Sequence, residues 1–266
     1  MYALGTEVMI SGQGAEGAWE ELEQLEATLT RFKPSKLTEL NQQGSLNHPP
    51  EVLLEAVEHA LEIAKSTHGL VTPLILPALK WAGYKECFQA AQVEAGLPPD
   101  VADWADVELS GELIRLPQGA ELDLGGTAKS WIVERISRHL SGNFVIDAGG
   151  DVWLKREELS PIDLEHPFAG ESCQLLLPPG QFGIATSSLL KRAWRGGHHL
   201  IDPRTSRPLS SRWVQVTAIG PSLCTAEVMT KLIFLGAEES LEKGYVYLAF
   251  DQQGQLWRYE ESWYLV

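Results

Sequence analysis

Two short apolar runs that each end in paired glycines constrain this chain most: Leu122-Asp123-Leu124-Gly125-Gly126 and Phe144-Val145-Ile146-Asp147-Ala148-Gly149-Gly150. Runs of that length suit strands, and glycine pairs let the backbone turn sharply at their ends. Helical periods are interleaved with them. Trp19, Leu22, Leu25, Leu29 and Phe32 recur at three- and four-residue spacing from Ala15 to Phe32, and Pro34 closes that helix. Leu53, Leu54, Val57, Leu61 and Ala64 mark a second helix between Pro49-Pro50 and Gly69. After the first glycine pair, Ile132, Ile136 and Leu140 share one face of a helix expected over Ala128 to Leu140. Later strands are expected at 174–177, 213–219, 245–250 and 256–265. Helices and strands thus mix without strict βαβ alternation. The expectation is an α+β fold over 1–266 as a single domain, with a mixed or antiparallel sheet and flanking helices. Residues 84–119, richer in Gly, Pro and acids with Ala-rich helical pieces, read as a variable insertion.

Composition narrows the function. With 44% hydrophobic and 21% charged residues the chain can bury a core, which excludes disorder and fibrous repeats. Thirty-six acids against 21 bases give a net charge of -15, which opposes broad contact with nucleic acid or an anionic membrane. No apolar stretch reaches the roughly 18 residues of a membrane span, and the longest, Leu70 to Leu79, is interrupted by Pro73 and Pro77. No membrane insertion is expected. Met1 to Glu7 shows neither the basic start nor the apolar core of an export signal, so the expected location is cytoplasmic, or an envelope compartment if a leader has been removed. Cys87, Cys173 and Cys224 lie far apart with no CxxC and are expected to be buried free thiols.

Three segments carry candidate chemistry. Asp123-Leu124-Gly125-Gly126-Thr127-Ala128-Lys129 combines a glycine turn, a helix start and a lysine, which suit a phosphate; a plain turn with a surface lysine is the alternative. His198-His199-Leu200-Ile201-Asp202-Pro203-Arg204-Thr205 gathers imidazoles, a carboxylate, a guanidinium and a hydroxyl around an Asp-Pro turn; the alternative is a polar turn in which Asp202 and Arg204 pair. Ala226-Glu227-Val228-Met229-Thr230-Lys231 places Glu227 in the expected first turn of a helix after Pro221-Ser222, four residues before Lys231, a spacing that also makes an ordinary i,i+4 ion pair. Gly183-Ile184-Ala185-Thr186-Ser187-Ser188 offers three hydroxyls at a strand end.

In this order the pieces resemble the FAD:protein FMN transferase family, the ApbE-type flavin transferases. Leu4-Gly5-Thr6, the stretch from Leu25 through Phe32-Lys33-Pro34-Ser35 to Leu40-Asn41, and Gly69 to Gly83 with Pro73, Pro77 and Trp81-Ala82-Gly83 resemble its N-terminal motifs. Leu122 to Lys129, Asp147-Ala148-Gly149-Gly150-Asp151, Glu165-His166-Pro167, Ala185-Thr186-Ser187, Arg192 and His198 to Thr205 follow in register. The run from His198 to Thr205 is the most specific, and the likeness extends from about residue 4 to 237.

The resemblance implies an ApbE-like fold with FAD in a cleft between two halves. It also implies a reaction in which a Thr or Ser hydroxyl of a flavin-accepting redox protein takes FMN from FAD and AMP leaves. It makes Leu4, Gly125, Gly126, Thr127, Lys129, Thr186, Ser187, His199, Asp202 and Arg204 the expected FAD contacts, and leaves His199, Asp202 and Asp123 as alternative catalytic groups. Family Mg²⁺ ligands fall on Ala128, Glu227 and Lys231. Here Glu227 keeps a carboxylate and Lys231 brings a cation where the family has a hydroxyl, so the lysine is a possible replacement for the metal. Thr72 stands for a family Asp, and Ser130, Ser188 and Ser206 stand for glycines. These departures also leave open a catalytically degenerate relative that binds flavin or a protein partner.

Overall fold

The computed structural model describes residues 1–84 and 93–266. Cys87 and part of the expected insertion lie outside the described residues. Chain contacts divide the molecule into two compact units, one of residues 1–23, 130–190 and 211–266, the other of residues 24–129 and 191–210. The α+β class expected from the sequence is what the chain adopts.

The first unit is built on one nine-stranded sheet whose spatial order follows chain order. Its strands are β1 (Tyr2–Ala3), β2 (Thr6–Gln13), β3 (Ser141–Ala148), β4 (Val152–Arg156), β5 (Gly180–Ser188), β6 (Trp213–Gly220), β7 (Val246–Asp251), β8 (Leu256–Tyr259) and β9 (Trp263–Leu265). Every neighbouring pair is antiparallel. Each of β6's eight residues is buried, which is why Trp213 to Gly220 reads as an almost unbroken apolar run rather than an alternating one. The C-terminal stretch expected as one strand is a hairpin: β8 and β9 pair with Trp257 opposite Leu265, and the polar Glu260-Glu261-Ser262 makes the turn.

Helix α6 (Leu223–Phe234) lies on this sheet with nine buried side chains. Gly183 of β5 makes that approach possible, because a Cβ there would stand 2.3 Å from the Leu223 backbone nitrogen. Ser222 caps the helix through its hydroxyl, which accepts from the Thr225 amide. Since Leu223 is the first helical residue, Glu227 sits in the second turn, one turn later than the sequence suggested.

The second unit contains α2 (Lys36–Gln43), α3 (Glu51–Ser66), α4 (Leu76–Trp81) and a three-stranded sheet of Ser45–Asn47, Leu113–Arg115 and Glu108–Ser110. Helix α1 (Ala15–Leu29) and helix α5 (Ala128–Ile136) each contribute to both units. Helix α3 forms where its sequence period places it and buries Leu53, Ala56, Val57, Ala60 and Ala64, while Leu54 and Leu61 of the expected face are only half-buried. Helix α1 stops before Phe32, since Ser35 starts α2 with a capping box in which its hydroxyl accepts from the Thr38 amide.

Leu122 to Leu124 is not a strand. The Asn41 side chain takes both backbone groups of Leu122, donating to its carbonyl at 2.9 Å and accepting from its amide at 2.7 Å, and the Asp123 amide donates to Pro73 O. A side chain thus satisfies backbone groups that a sheet neighbour would otherwise have met. Helix α5 ends at Ile136, and a single 3-10 turn, Ser137–His139, replaces its expected last turn. No helix among the described residues is long and apolar enough to cross a membrane. Cys173 and Cys224 are free but half-buried, less enclosed than the sequence suggested.

Candidate functional site

In the second unit the glycine turn before α5 is held from its own aspartate. Asp123 Oδ1 accepts from the Gly125 amide at 2.8 Å, and Asp123 Oδ2 meets Arg31 Nε at 2.5 Å. That ion pair is nearly buried, and the guanidinium packs against the Phe32 and Tyr84 rings, 4.2 and 4.6 Å from their centroids. Thr127 and Ala128 amides donate to Leu124 O at 3.1 and 2.7 Å. The turn therefore closes on itself and brings Lys129 into the first turn of α5.

The motif around His198 to Thr205 folds as two short ladders, Ala193–Trp194 with Gly197–His198, and Ile201–Asp202 with Arg207–Pro208. Asp202 grips Arg204 at both oxygens, Nε donating to Oδ1 and Nη2 to Oδ2, each at 2.9 Å, and Oδ1 also accepts the Arg204 amide. Partial burial works to raise the Asp202 carboxyl, but the Arg204 hydrogen bonds and charge outweigh it and hold it below the usual range. His198 Nε2 donates to Leu209 O at 3.1 Å while its Nδ1 accepts from the Leu200 amide, and burial pushes the imidazole below its usual value despite the bond to Leu209. Ser206, where the family has glycine, is buried with φ of 56°, the left-handed region that favours glycine.

In the first unit, α5, α6 and β5 assemble a polar cluster. Glu227 Oε1 pairs with Lys231 Nζ at 3.2 Å, and its other oxygen accepts from Ser130 at 2.5 Å. Lys231 Nζ also donates to Glu227 O at 3.2 Å. The two side chains are only 6% and 14% exposed. Thr230, fully buried, donates to Glu227 O and bonds Ser187 Oγ, both at 2.8 Å. The Thr186 hydroxyl meets Thr217 at 2.9 Å, and its amide donates to buried Asp151 at 3.1 Å. Glu134 of α5 accepts from Ser222 Oγ and from the Cys224 amide, both at 2.9 Å, and so binds α5 to the start of α6. Burial, followed by the charge of Glu134, pushes the Cys224 thiol far up, so it stays protonated.

The first unit thus brings together Glu227 with Lys231, and Thr186 and Ser187 with partners on β6 and α6. The second holds Asp123 with Gly125 and Asp202 with Arg204. Leu4 lies in the β1–β2 turn with φ of 54°. Sequence reasoning missed Arg31, Ser130 as a ligand of Glu227, Glu134 and Asp151. Ser130 and Asp151 lay within segments of the family likeness and Arg31 was flanked by Phe32, but Glu134 carried no signal.

The divalent ion that the resemblance implies does not suit this donor set. Mg²⁺ takes about six oxygens at roughly 2.0–2.1 Å. Position 231 offers an ammonium, and both Glu227 oxygens already have partners. An ammonium about 4 Å from Mg²⁺ repels it by on the order of 8 kcal/mol at an effective dielectric constant near 20. Among the described residues no group of three His, Cys, Asp or Glu could hold a metal ion.

A sheet carrying α6 on one face, with a glycine turn opening α5 and a His-Asp-Arg hairpin, defines an ApbE-like fold. The ApbE family model matches residues 4–245, and the chain belongs to that family. The FAD:protein FMN transferase of Vibrio cholerae serotype O1 is 31% identical over 134 residues, 45% of this chain and 40% of that protein. That stretch spans about two fifths of the relative's own length. The FAD:protein FMN transferase of Haemophilus influenzae is 24% identical over 242 residues, 80% of this chain and 69% of that one. The crystal structure of the ApbE protein from Thermotoga maritima superposes with a TM-score of 0.84 at 21% identity, covering 98% of this chain and 96% of that one. That likeness establishes the shared fold.

Proposed function

We propose that this protein is an FAD:protein FMN transferase, moving FMN from FAD to a Thr or Ser hydroxyl of a target redox protein. Family membership across residues 4–245, with relatives that bear that name, is the observation that carries the reading. In the reaction the acceptor oxygen attacks the FMN phosphorus, a P–O bond forms, and the P–O bond to AMP breaks. The hydroxyl proton passes to a base, and AMP leaves with the pyrophosphate's bridging oxygen.

Of the three alternative bases, Asp123 is committed to Arg31 and the Gly125 amide, and Asp202 to Arg204. A carboxylate held below its usual pKa is a poor proton acceptor, which argues against Asp202. We assign the base to His199 because imidazole is the side-chain type most often used for general-base work. Asp202 then orients Arg204, whose planar fork suits a phosphate, and Lys129 adds positive charge at the α5 turn.

The test incubates the protein with FAD and a panel of redox domains bearing an exposed Thr or Ser, and follows AMP by chromatography. AMP release matched by flavin on one acceptor is expected. FAD bound but intact with every acceptor would overturn the assignment. Within that assay, His199→Ala should lower the rate by about 10²–10⁴-fold, the usual span of general-base contributions, while FAD affinity changes far less.

A further inference from the structure

We propose that Lys231 is a built-in cation: its ammonium, tethered to Glu227, takes the place of the family's divalent ion and meets the FAD pyrophosphate as a fixed single positive charge. The inference rests on the transferase reading for the identity of the ligand, and on the α6 cluster for the charge.

Four observations carry it. Lys231 Nζ makes two contacts to one residue, Glu227 Oε1 and Glu227 O, each 3.2 Å, so the flexible side chain is held in place. Ser130 takes the second Glu227 oxygen, so both oxygens of that carboxylate already have a partner within the cluster. This is also what the replacement of a glycine by Ser130 accomplishes: its hydroxyl completes the shell of Glu227. The hydroxyl nearest in sequence, Thr230, does not restore the missing metal ligand, because it is fully buried and bonds Ser187 and Glu227 O. Finally, the Lys231 side chain keeps 14% of its surface exposed against 6% for Glu227, so the lysine is the less enclosed of the two.

The chemical consequence is a trade. A divalent ion can bridge two phosphate oxygens and must be captured from solution, whereas an ammonium donates up to three hydrogen bonds and is always present. The chain should therefore bind FAD equally well with and without a divalent ion.

Two measurements test this on the full chain. Flavin-fluorescence titrations with FAD are run in EDTA and in millimolar Mg²⁺ for the parent and for Lys231→Thr, and Mn²⁺ binding is followed by the loss of its free-ion EPR signal, with no flavin present. The parent should bind FAD with the same affinity in both buffers and leave the Mn²⁺ signal intact. Lys231→Thr should lose about 10-fold or more in affinity in EDTA, the worth of a charge-assisted hydrogen bond. Glu227→Asp with Lys231→Thr should withdraw Mn²⁺ from solution and recover FAD affinity in Mg²⁺. Affinity of the parent that rises about 10-fold with Mg²⁺, or Lys231→Thr binding FAD like the parent in EDTA, would overturn the proposal. If Lys231→Thr fails to fold, Lys231→Met with Glu227→Gln removes both charges together and is held to the same loss in EDTA. A parent that binds FAD in neither buffer removes the transferase reading instead. The Mn²⁺ arm still decides the cation in that event: capture by the double variant alone sustains it, and capture by the parent or by neither overturns it.

Discussion

Two acid–base pairs a few residues apart in their motifs behave differently because their surroundings differ. Glu227 and Lys231 on α6 pair at 3.2 Å with almost no solvent access. Asp202 and Arg204 pair at 2.9 Å through two bonds, but the arginine is 55% exposed. Removing one partner of a buried pair leaves a charge that water cannot reach, whereas solvent rescues the survivor of an exposed one. The first pair is thus part of how the first unit holds together. The second fixes the orientation of a guanidinium, and under the proposed function its loss should register in ligand binding before it registers in stability.

The buried pair is most vulnerable at Glu227. Glu227→Ala should cost about 3 kcal/mol or more of unfolding free energy, measured by urea denaturation. Gly183→Ala should be nearly as severe, about 2 kcal/mol, because its Cβ would stand 2.3 Å from the Leu223 nitrogen and push α6 off the sheet. Asp202→Ala, in contrast, should change stability by about 1 kcal/mol or less. A loss equal to that at Glu227 would erase the distinction between the pairs. Ser206→Gly beside this hairpin should stabilise by about 0.5 kcal/mol, since its backbone already adopts the left-handed region.

A pH effect sharpens the same contrast. Burial holds the folded-state His198 pKa below the 6.5 of the free imidazole. The unfolded chain therefore takes up the proton first as pH falls, and stability contributed by the neutral ring is present above 6.5 and declines below it. Asp202 acts in the same sense at lower pH: its depressed carboxyl contributes stability above the ordinary carboxylate range, which is lost only in stronger acid. Melting temperatures of the parent should fall between neutral pH and about pH 5, and His198→Phe should flatten that slope. An equal slope in the variant would place the pH response elsewhere.

Local patterns in the chain were legible where a single element decides them. Helix α3 could be read from its apolar spacing, and the Glu227–Lys231 pair from its i,i+4 register, because both depend on one helix. Leu122 to Leu124 looked like a strand since its pattern is apolar, and Asn41, 81 positions away, removed the need for a sheet neighbour. The C-terminal run looked like one strand because Glu260 to Ser262 is too short an interruption to break the pattern by eye. Glu134 and Arg31 act on residues about 90 positions away, and such pairings are fixed by tertiary packing that no local window contains. Ser130 was legible as a departure from the family but not as the hydroxyl that completes the Glu227 shell.

A chain that splits FAD onto a protein acceptor with Lys231 in the metal's position needs no divalent ion for turnover. The most direct measurement is AMP release from FAD in the presence of an acceptor redox domain, compared in excess EDTA and in millimolar Mg²⁺. Equal rates of AMP release in both buffers, with FMN found on the acceptor, are predicted. AMP release that appears only with Mg²⁺, or FAD that stays whole in both, would contradict it.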